Sequence, residues 1–237
     1  DEARETLKAP DILQNLIDDG RLGQKTKAGF YKKTEEGILS IDLKTGEYKD
    51  QKKVLFDGYR VAKAFQKVES RIKALAFNDD KAGKFMWEIT ADSLIYSANR
   101  IPEISDDIIN IDNAMKWGYG WELGPFECWD AMGVQATVNR MKKENKKVPN
   151  WVEEMLSSGR ETFYELKNGK RTYYDVLTSS IKTIEEDPKV INLNLKKSGN
   201  NLIKRDWSAS LIDLGDQVLN IEFHSALQPT LNPIDSS

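Results

Sequence analysis

The chain has 237 residues, 31% of them charged, with a formal net charge of −3. That length supports one large or two small domains with a real core, and charge so evenly mixed offers no broad basic field for nucleic acid. One cysteine, Cys128, excludes an intramolecular disulfide and fits a reducing compartment. No apolar run reaches bilayer length and no charged-then-apolar leader is visible, so a cytoplasmic protein engaging neither membrane nor nucleic acid is expected. Lys142, Lys143, Lys146 and Lys147 read as a solvated helix face. The chain opens on DEARETLKAP without methionine and closes on LNPIDSS, which suggests a fragment of a longer polypeptide.

In chain order, Pro10 to Asp19 reads as a short helix closed by Gly20, followed by a glycine-bounded loop from Leu22 to Tyr31. Residues 37–49 read as an exposed hairpin turning at Lys44-Thr45-Gly46. The spacing of Val61, Ala64, Phe65, Val68, Ile72, Leu75 and Ala76 predicts one helix over 58–77. A second helix is expected over about 80–100, capped by Asn78 or Asp79, with Phe85, Met86, Ile89 and Tyr96 inward. Pro102 ends that unit, and Ser105 caps the next helix, with Asp106 and Asp107 suited to its dipole.

The stretch Ile111–Val134, IDNAMKWGYGWELGPFECWDAMGV, holds four glycines, a proline and three of the six tryptophans. Ile108, Ile111 and Met115 lie on one helical face. Gly118 and Gly120 stop that helix, and Gly124-Pro125 starts another, with Phe126, Trp129, Ala131, Met132 and Val134 supplying its apolar surface. A further helix runs to about Lys146, and a short one covers Trp151 to Ser158, stopped by Gly159. Thr172-Tyr173-Tyr174 and Val190-Ile191-Asn192-Leu193 are strand- or loop-like. Ala209 to Phe223 reads as two strands around Gly215-Asp216.

Composition and spacing alone give only a mostly helical domain. The run IDNAMKWGYGWELGPFECWDAMGV, however, resembles the "iD.am...G...GP.e..D..G" signature of the C-terminal domain of 3-hydroxyacyl-CoA dehydrogenases. GRLGQKTKAGFY, from Gly20 to Tyr31, is similar to a second signature of that family. The resemblance implies a mainly α, duplicated C-terminal-domain-like fold with short β-hairpins at the linkers. The sequence also echoes itself: Leu16–Arg21 followed by Gly29-Phe30-Tyr31 is similar to Met155–Arg160 followed by Gly169 and Tyr173-Tyr174. The expected organisation is therefore the tail of a first repeat plus hairpin linker over 1–54, a second repeat over 55–185, and a linker with strands over 186–237. Those strands, in SASLIDLGDQVLNIEFHS, resemble the opening of an enoyl-CoA hydratase domain.

The implied parent oxidises (3S)-hydroxyacyl-CoA with NAD in fatty acid β-oxidation and also carries a hydratase. Its NAD sits on an upstream domain, outside this chain. The partners implied are an acyl-CoA substrate, the upstream NAD-binding domain, the downstream hydratase domain and a second copy in a homodimer. An interaction scaffold between catalytic domains is the alternative.

Residue by residue, little chemistry is expected here. Gly118, Gly120 and Gly124 do not make a dinucleotide fingerprint, because the third spacing is wrong and a helix precedes them. His224 has no second histidine for a metal site, and Glu222 shares its strand face without a further ligand. In the family an asparagine faces the substrate carbonyl; the matching position here falls near Trp87-Glu88, and Asn99-Arg100 sits about three turns too late. Asp130, Glu122, Glu127 and Glu88 are read as structural rather than as an acid/base pair. Lys25 and Lys27 could meet CoA phosphates but are better read as structural, and Cys128 as a packed thiol. No catalytic, cofactor-binding or metal-ligating residue is expected in the chain.

Overall fold

The computed structural model describes residues 8–52, 54–187 and 189–224. The two ends of the sequence, on which the expectation of a fragment rested, lie outside the described residues. The chain forms two compact units, residues 1–60 and 61–237.

In the first unit, Pro10 caps helix α1 (Asp11–Asp18), as its fixed φ suits a helix entrance. Gly20 then takes φ +69°, the left-handed turn that glycine adopts without a Cβ penalty. A 3-10 turn (Gln24–Thr26) leads to a meander of β1 (Tyr31–Lys33), β2 (Ile38–Ile41) and β3 (Tyr48–Asp50), antiparallel in that order. The β2–β3 turn is organised by Asp42, which accepts from Lys44 N and Thr45 N and pairs with Lys49 Nζ at 2.8 Å. Those partners, Lys49 first, hold its carboxyl down at about 2. Leu16 and Ile41 are the buried apolar residues of this unit among those described, a very small core.

Helix α2 (Asp57–Lys63) spans the boundary, and α3 (Val68–Ala76) follows after a break. The single helix expected over 58–77 is therefore two. Val61 and Phe65 stay exposed while Ala76 is buried, so the apolar stripe never faces one surface. Helix α4 (Lys81–Asn99) is capped by Asp80, whose carboxylate accepts from Gly83 N at 2.8 Å, rather than by Asn78 or Asp79. Its inward face is also rotated from expectation. Phe85 and Ile89 are exposed, and Trp87, Ala91, Leu94 and Ala98 are buried. Small residues let neighbouring backbone come close on that side. A Cβ at Gly83 would lie 2.1 Å from the Asn78 carbonyl oxygen. Gly83→Ala is expected to destabilise the second unit by about 2–3 kcal/mol, because the obstacle is backbone; a thermal or denaturant melt checks it.

Helix α5 (Ile108–Tyr119) is capped by Asp107, which accepts from Asn110 N, while Ser105 Oγ instead accepts from Asp107 N. Gly120, at φ +68°, ends α5. Then come α6 (Pro125–Met132), α7 (Val134–Lys143) and α8 (Asn150–Ser157). The core is built where these helices meet the following chain. The Phe163 ring lies 5.1 Å from Phe126, 5.3 Å from Trp129 and 5.8 Å from Trp151. The Trp129 indole N–H is satisfied by Thr137 Oγ1, as a buried donor requires. A second antiparallel meander, β4 (Tyr164–Lys167), β5 (Lys170–Asp175) and β6 (Ser180–Thr183), packs next to these helices. After it, α9 (Leu193–Ser198) precedes a third, β7 (Leu202–Arg205), β8 (Ala209–Gly215) and β9 (Val218–Phe223).

The expectation of a mainly α fold is overturned. Helix accounts for 42% and strand for 20%, and the strands form three small antiparallel sheets rather than hairpins at linkers. The physical reason is composition. Strands such as Tyr31-Lys32-Lys33, Tyr164-Glu165-Leu166-Lys167 and Ser180-Ile181-Lys182-Thr183 are short, largely exposed and rich in lysine, so they carry little of the alternation that marks a half-buried strand.

Candidate functional site

The signature stretch folds into a helical corner held by three carboxylates. Gly124 is the N-cap of α6 and has no side chain to cap with. Asp112, one turn after Ile108 on the apolar face of α5, supplies the missing acceptor from across the corner. Its Oδ1 accepts from Phe126 N at 2.8 Å and its Oδ2 from Glu127 N at 3.1 Å and from the Tyr164 hydroxyl at 2.9 Å. The two N–H groups are donors that the first turn of a helix leaves without intrahelical partners, and the negative charge sits at the positive end of the dipole. Glu127 completes the cap by accepting from Gly124 N at 3.0 Å, and it pairs with Lys116 at 2.8 Å and Arg171 at 2.6 Å.

Asp130, one turn along α6, accepts from Phe163 N at 2.7 Å and Tyr164 N at 2.9 Å. It ties the helical corner to the start of the β4–β6 meander. The close approach of α5 and α6 explains the glycine of the signature: a Cβ on Gly124 would meet Asp112 Cβ at 2.3 Å and its Cα at 2.4 Å.

Burial pushes the Asp112 carboxyl up to about 7, against the hydrogen bonds from Phe126, Tyr164 and Glu127. Burial does the same to Asp130, against those from Phe163 and Tyr164. An aspartate in the unfolded chain titrates near ~3.9, so between these values the folded state binds more protons. The stability these groups confer is therefore full below the unfolded value and lost as pH rises through about 7. The thermal midpoint of the second unit is expected to be higher at about pH 5 than at about pH 8, with Asp112→Asn flattening the difference; melts across that range check it.

The other candidates contribute no side chain to that cap. Glu88 pairs with Lys146, which also reaches Asp92. Trp87, where the family's asparagine was sought, is buried and donates to Glu144 Oε2 at 2.6 Å. Arg100 is buried and pairs with Glu103. Lys142 pairs with Glu153. Lys25 and Lys27 lie exposed in the 3-10 turn and at its end. His224 Nε2 lies 2.9 Å from Ser210 Oγ. Cys128 is buried, its thiol pushed up to about 12 by burial and by the nearby Asp112 charge. Among the described residues no group of three or more His, Cys, Asp or Glu could hold a metal ion.

The corner does not fit a dinucleotide. Its helix N-terminus, where a pyrophosphate would bind, is already filled by the Asp112 carboxylate, which would repel an anion.

What the corner does is clamp: its carboxylates fasten two helices and a meander together. Over 224 residues, 94% of this chain, it is 40% identical to a Bacillus subtilis (strain 168) protein named "Probable 3-hydroxyacyl-CoA dehydrogenase", of which the match covers 28%. Over 119 residues, 49% of the chain, it is 31% identical to a Rickettsia felis protein named as a fatty acid oxidation complex trifunctional enzyme, covering 15% of that relative. A Rickettsia prowazekii protein of the same name is 29% identical over 119 residues. No protein-family model and no solved structure matches the chain. The chain is thus a relative of the 3-hydroxyacyl-CoA dehydrogenases and spans under a third of the length of these relatives.

Proposed function

We propose that the chain is the C-terminal, substrate-side and dimer-forming part of an NAD-dependent 3-hydroxyacyl-CoA dehydrogenase of fatty acid β-oxidation. In that reaction the substrate's 3-hydroxyl loses a proton and its C3 gives a hydride to NAD, leaving a 3-oxoacyl-CoA. NAD is assigned to another domain of the parent, with a hydratase domain as a further neighbour and the cytoplasm as its location. The observation that carries this reading is the corner itself: the residues matching the family signature, Asp112, Gly124-Pro125, Glu127 and Asp130, each have a defined mechanical role in it. The role assigned to this stretch is to shape and brace one wall of the acyl-CoA site.

The test is a thermal melt of the chain with increasing acetoacetyl-CoA. A wall that touches the ester predicts a midpoint that rises with ligand concentration over Kd. A midpoint that stays flat to millimolar ester would favour the second reading, a scaffold between catalytic domains. The specific observation behind that reading is that the signature carboxylates are all engaged in holding the fold.

A further inference from the structure

The first unit repeats a piece of the second, and the repeat allows two arginines to be compared. In each copy a proline-capped helix runs into Gly-Arg, α1 into Gly20-Arg21 and α8 into Gly159-Arg160. Asp19 N donates to Asn15 O and Ser158 N to Glu154 O, both at 3.0 Å. The meanders that follow open alike: Ile41 N donates to Phe30 O and Tyr174 N to Phe163 O, both at 2.9 Å. The next residue is an aspartate paired with a lysine at the same spacing, Asp42 with Lys49 and Asp175 with Lys182. Phe30-Tyr31 therefore matches Phe163-Tyr164 rather than Tyr173-Tyr174. In the same register Asp19 matches Ser158, Gly46 matches Ser179 and Tyr48 matches Ile181. Gly46 and Ser179 both sit in the left-handed region, at φ +72° and +50°.

Arg21 is closed in by its own unit. Its Nη1 donates to Gly46 O at 3.1 Å, its Nη2 donates to Asp19 Oδ2 at 2.5 Å, and its guanidinium lies 5.8 Å from the centre of the Tyr48 ring. In the second unit those partners are replaced by smaller, neutral ones. Ser158 brings no carboxylate, and its hydroxyl donates to Met155 O. Arg160 turns instead to the backbone, with Nε donating to Thr162 O at 2.7 Å and Nη2 to Phe163 O at 3.3 Å. Among the described residues its Nη1 faces Glu165 Oε1 at 3.6 Å, outside hydrogen-bond reach. The Arg160 side chain is only 9% exposed, so a donor left unmet there costs stability. Where the partners of Arg21 would stand is a cleft of about 570 Å³, lined by Ser158, Arg160, Ser179 and Ile181 and by the carboxylates of Glu161 and Glu165.

We infer that the Arg160 cleft binds a small zwitterionic carboxylate of the α-amino-acid type. Its carboxylate lies on the guanidinium, in the place that Asp19 holds on Arg21, and its ammonium lies toward Glu161 and Glu165. A guanidinium fork matches a carboxylate in shape as well as charge. One cation and two carboxylates line the cleft, so a plain anion is opposed by the pair while a ligand carrying both charges is matched. Ile181, where the first copy has the Tyr48 ring, leaves room for a short side chain. The inference rests on the comparison of the two copies and is independent of the acyl-CoA reading.

The test is a titration of the nitrogen-15-labelled chain with glycine at fixed ionic strength, followed by amide chemical shifts. Saturable shifts are expected at residues 158–162 and 179–181. Acetate, which lacks the ammonium, is expected to bind at least about threefold more weakly, the scale of one partly exposed ion pair. Ser158→Asp restores the internal carboxylate of the first copy; it is expected to fill the fork and abolish the glycine shifts without lowering the melting midpoint. Glu165→Gln, on an exposed strand position, is expected to weaken glycine and tighten acetate, and it keeps the test decisive if Ser158→Asp folds poorly. Shifts that never saturate would overturn the inference. So would glycine binding that survives Ser158→Asp, acetate binding as tight as glycine, or a Glu165→Gln variant in which neither ligand changes. No ester is involved, so a flat melt with acetoacetyl-CoA would leave this result standing.

Discussion

Asp112→Ala is expected to cost the second unit about 3–5 kcal/mol, the sum of a lost helix cap and buried donors left without an acceptor. Phe126 N, Glu127 N and the Tyr164 hydroxyl all depend on this one carboxylate, and Phe126 is fully buried. Domains of this size carry only about 5–15 kcal/mol in all, so the variant should melt far below the parent or purify poorly. Asp112→Asn keeps the shape and one acceptor, and should cost about half as much, since its amide N–H₂ then faces a donor. Urea melts followed by tryptophan fluorescence separate the two variants. An alanine variant within half a kilocalorie of the parent would mean that water or another group serves these donors.

Gly124→Ala is the second large effect, expected at about 3 kcal/mol or more, at the upper end of overpacking costs. The new methyl would sit 2.3 Å from Asp112 Cβ and 2.4 Å from its Cα, so the side chain cannot swing clear, and α5 and α6 must part. Parting them also breaks the Asp112 cap. The two substitutions should therefore be strongly non-additive: in Asp112→Ala/Gly124→Ala the combined cost should fall well short of the sum, because each alone destroys the same junction. A double-mutant cycle on denaturant midpoints measures that coupling.

Where the sequence was legible, one residue sufficed to set the local geometry. Gly120 ends a helix, Gly124-Pro125 begins one, Pro10 and Gly20 bracket α1, and Gly215-Asp216 turns the last hairpin; each follows from backbone freedom at a single position. What depended on distant partners was not legible. Asp112 is the charged residue on the apolar face of α5, a signal in hindsight, but its donors lie 14, 15 and 52 residues away. The inward face of α4 is not legible from apolarity, because Phe85 and Ile89 are more apolar than Gly83, Ala91 and Ala98, while close packing favours the small residues. The helix expected over 58–77 failed for a related reason: periodicity reports a face, and the two ends of that stripe do not share one. The hairpins over 37–49 and 209–223 are legible from their turns, whereas the strands that extend them into meanders, β1 and β7, and the β4 and β6 strands of the second meander carry too little apolar alternation to mark them.

Two kinds of surroundings separate the roles of carboxylates in this chain. Asp42 and Asp175 each pair with a lysine and lie below their ordinary range, whereas Asp112 and Asp130 accept from backbone N–H groups and are pushed above it by desolvation. The first pair loses its contribution as acid protonates it; the second pair gains over the range from about pH 7 down to about pH 4. Neither arrangement leaves a carboxylate poised on an open cleft with a partner for proton transfer.

The measurement that bears most directly on this account is the oxidation of NADH with acetoacetyl-CoA, followed at 340 nm on the chain by itself. If the signature carboxylates serve to brace the fold, no oxidation above the buffer rate is expected, and Asp130→Asn should change the melting curve alone. Steady turnover that Asp130→Asn abolishes while the melting curve stays put would place the chemistry in this corner and contradict the account.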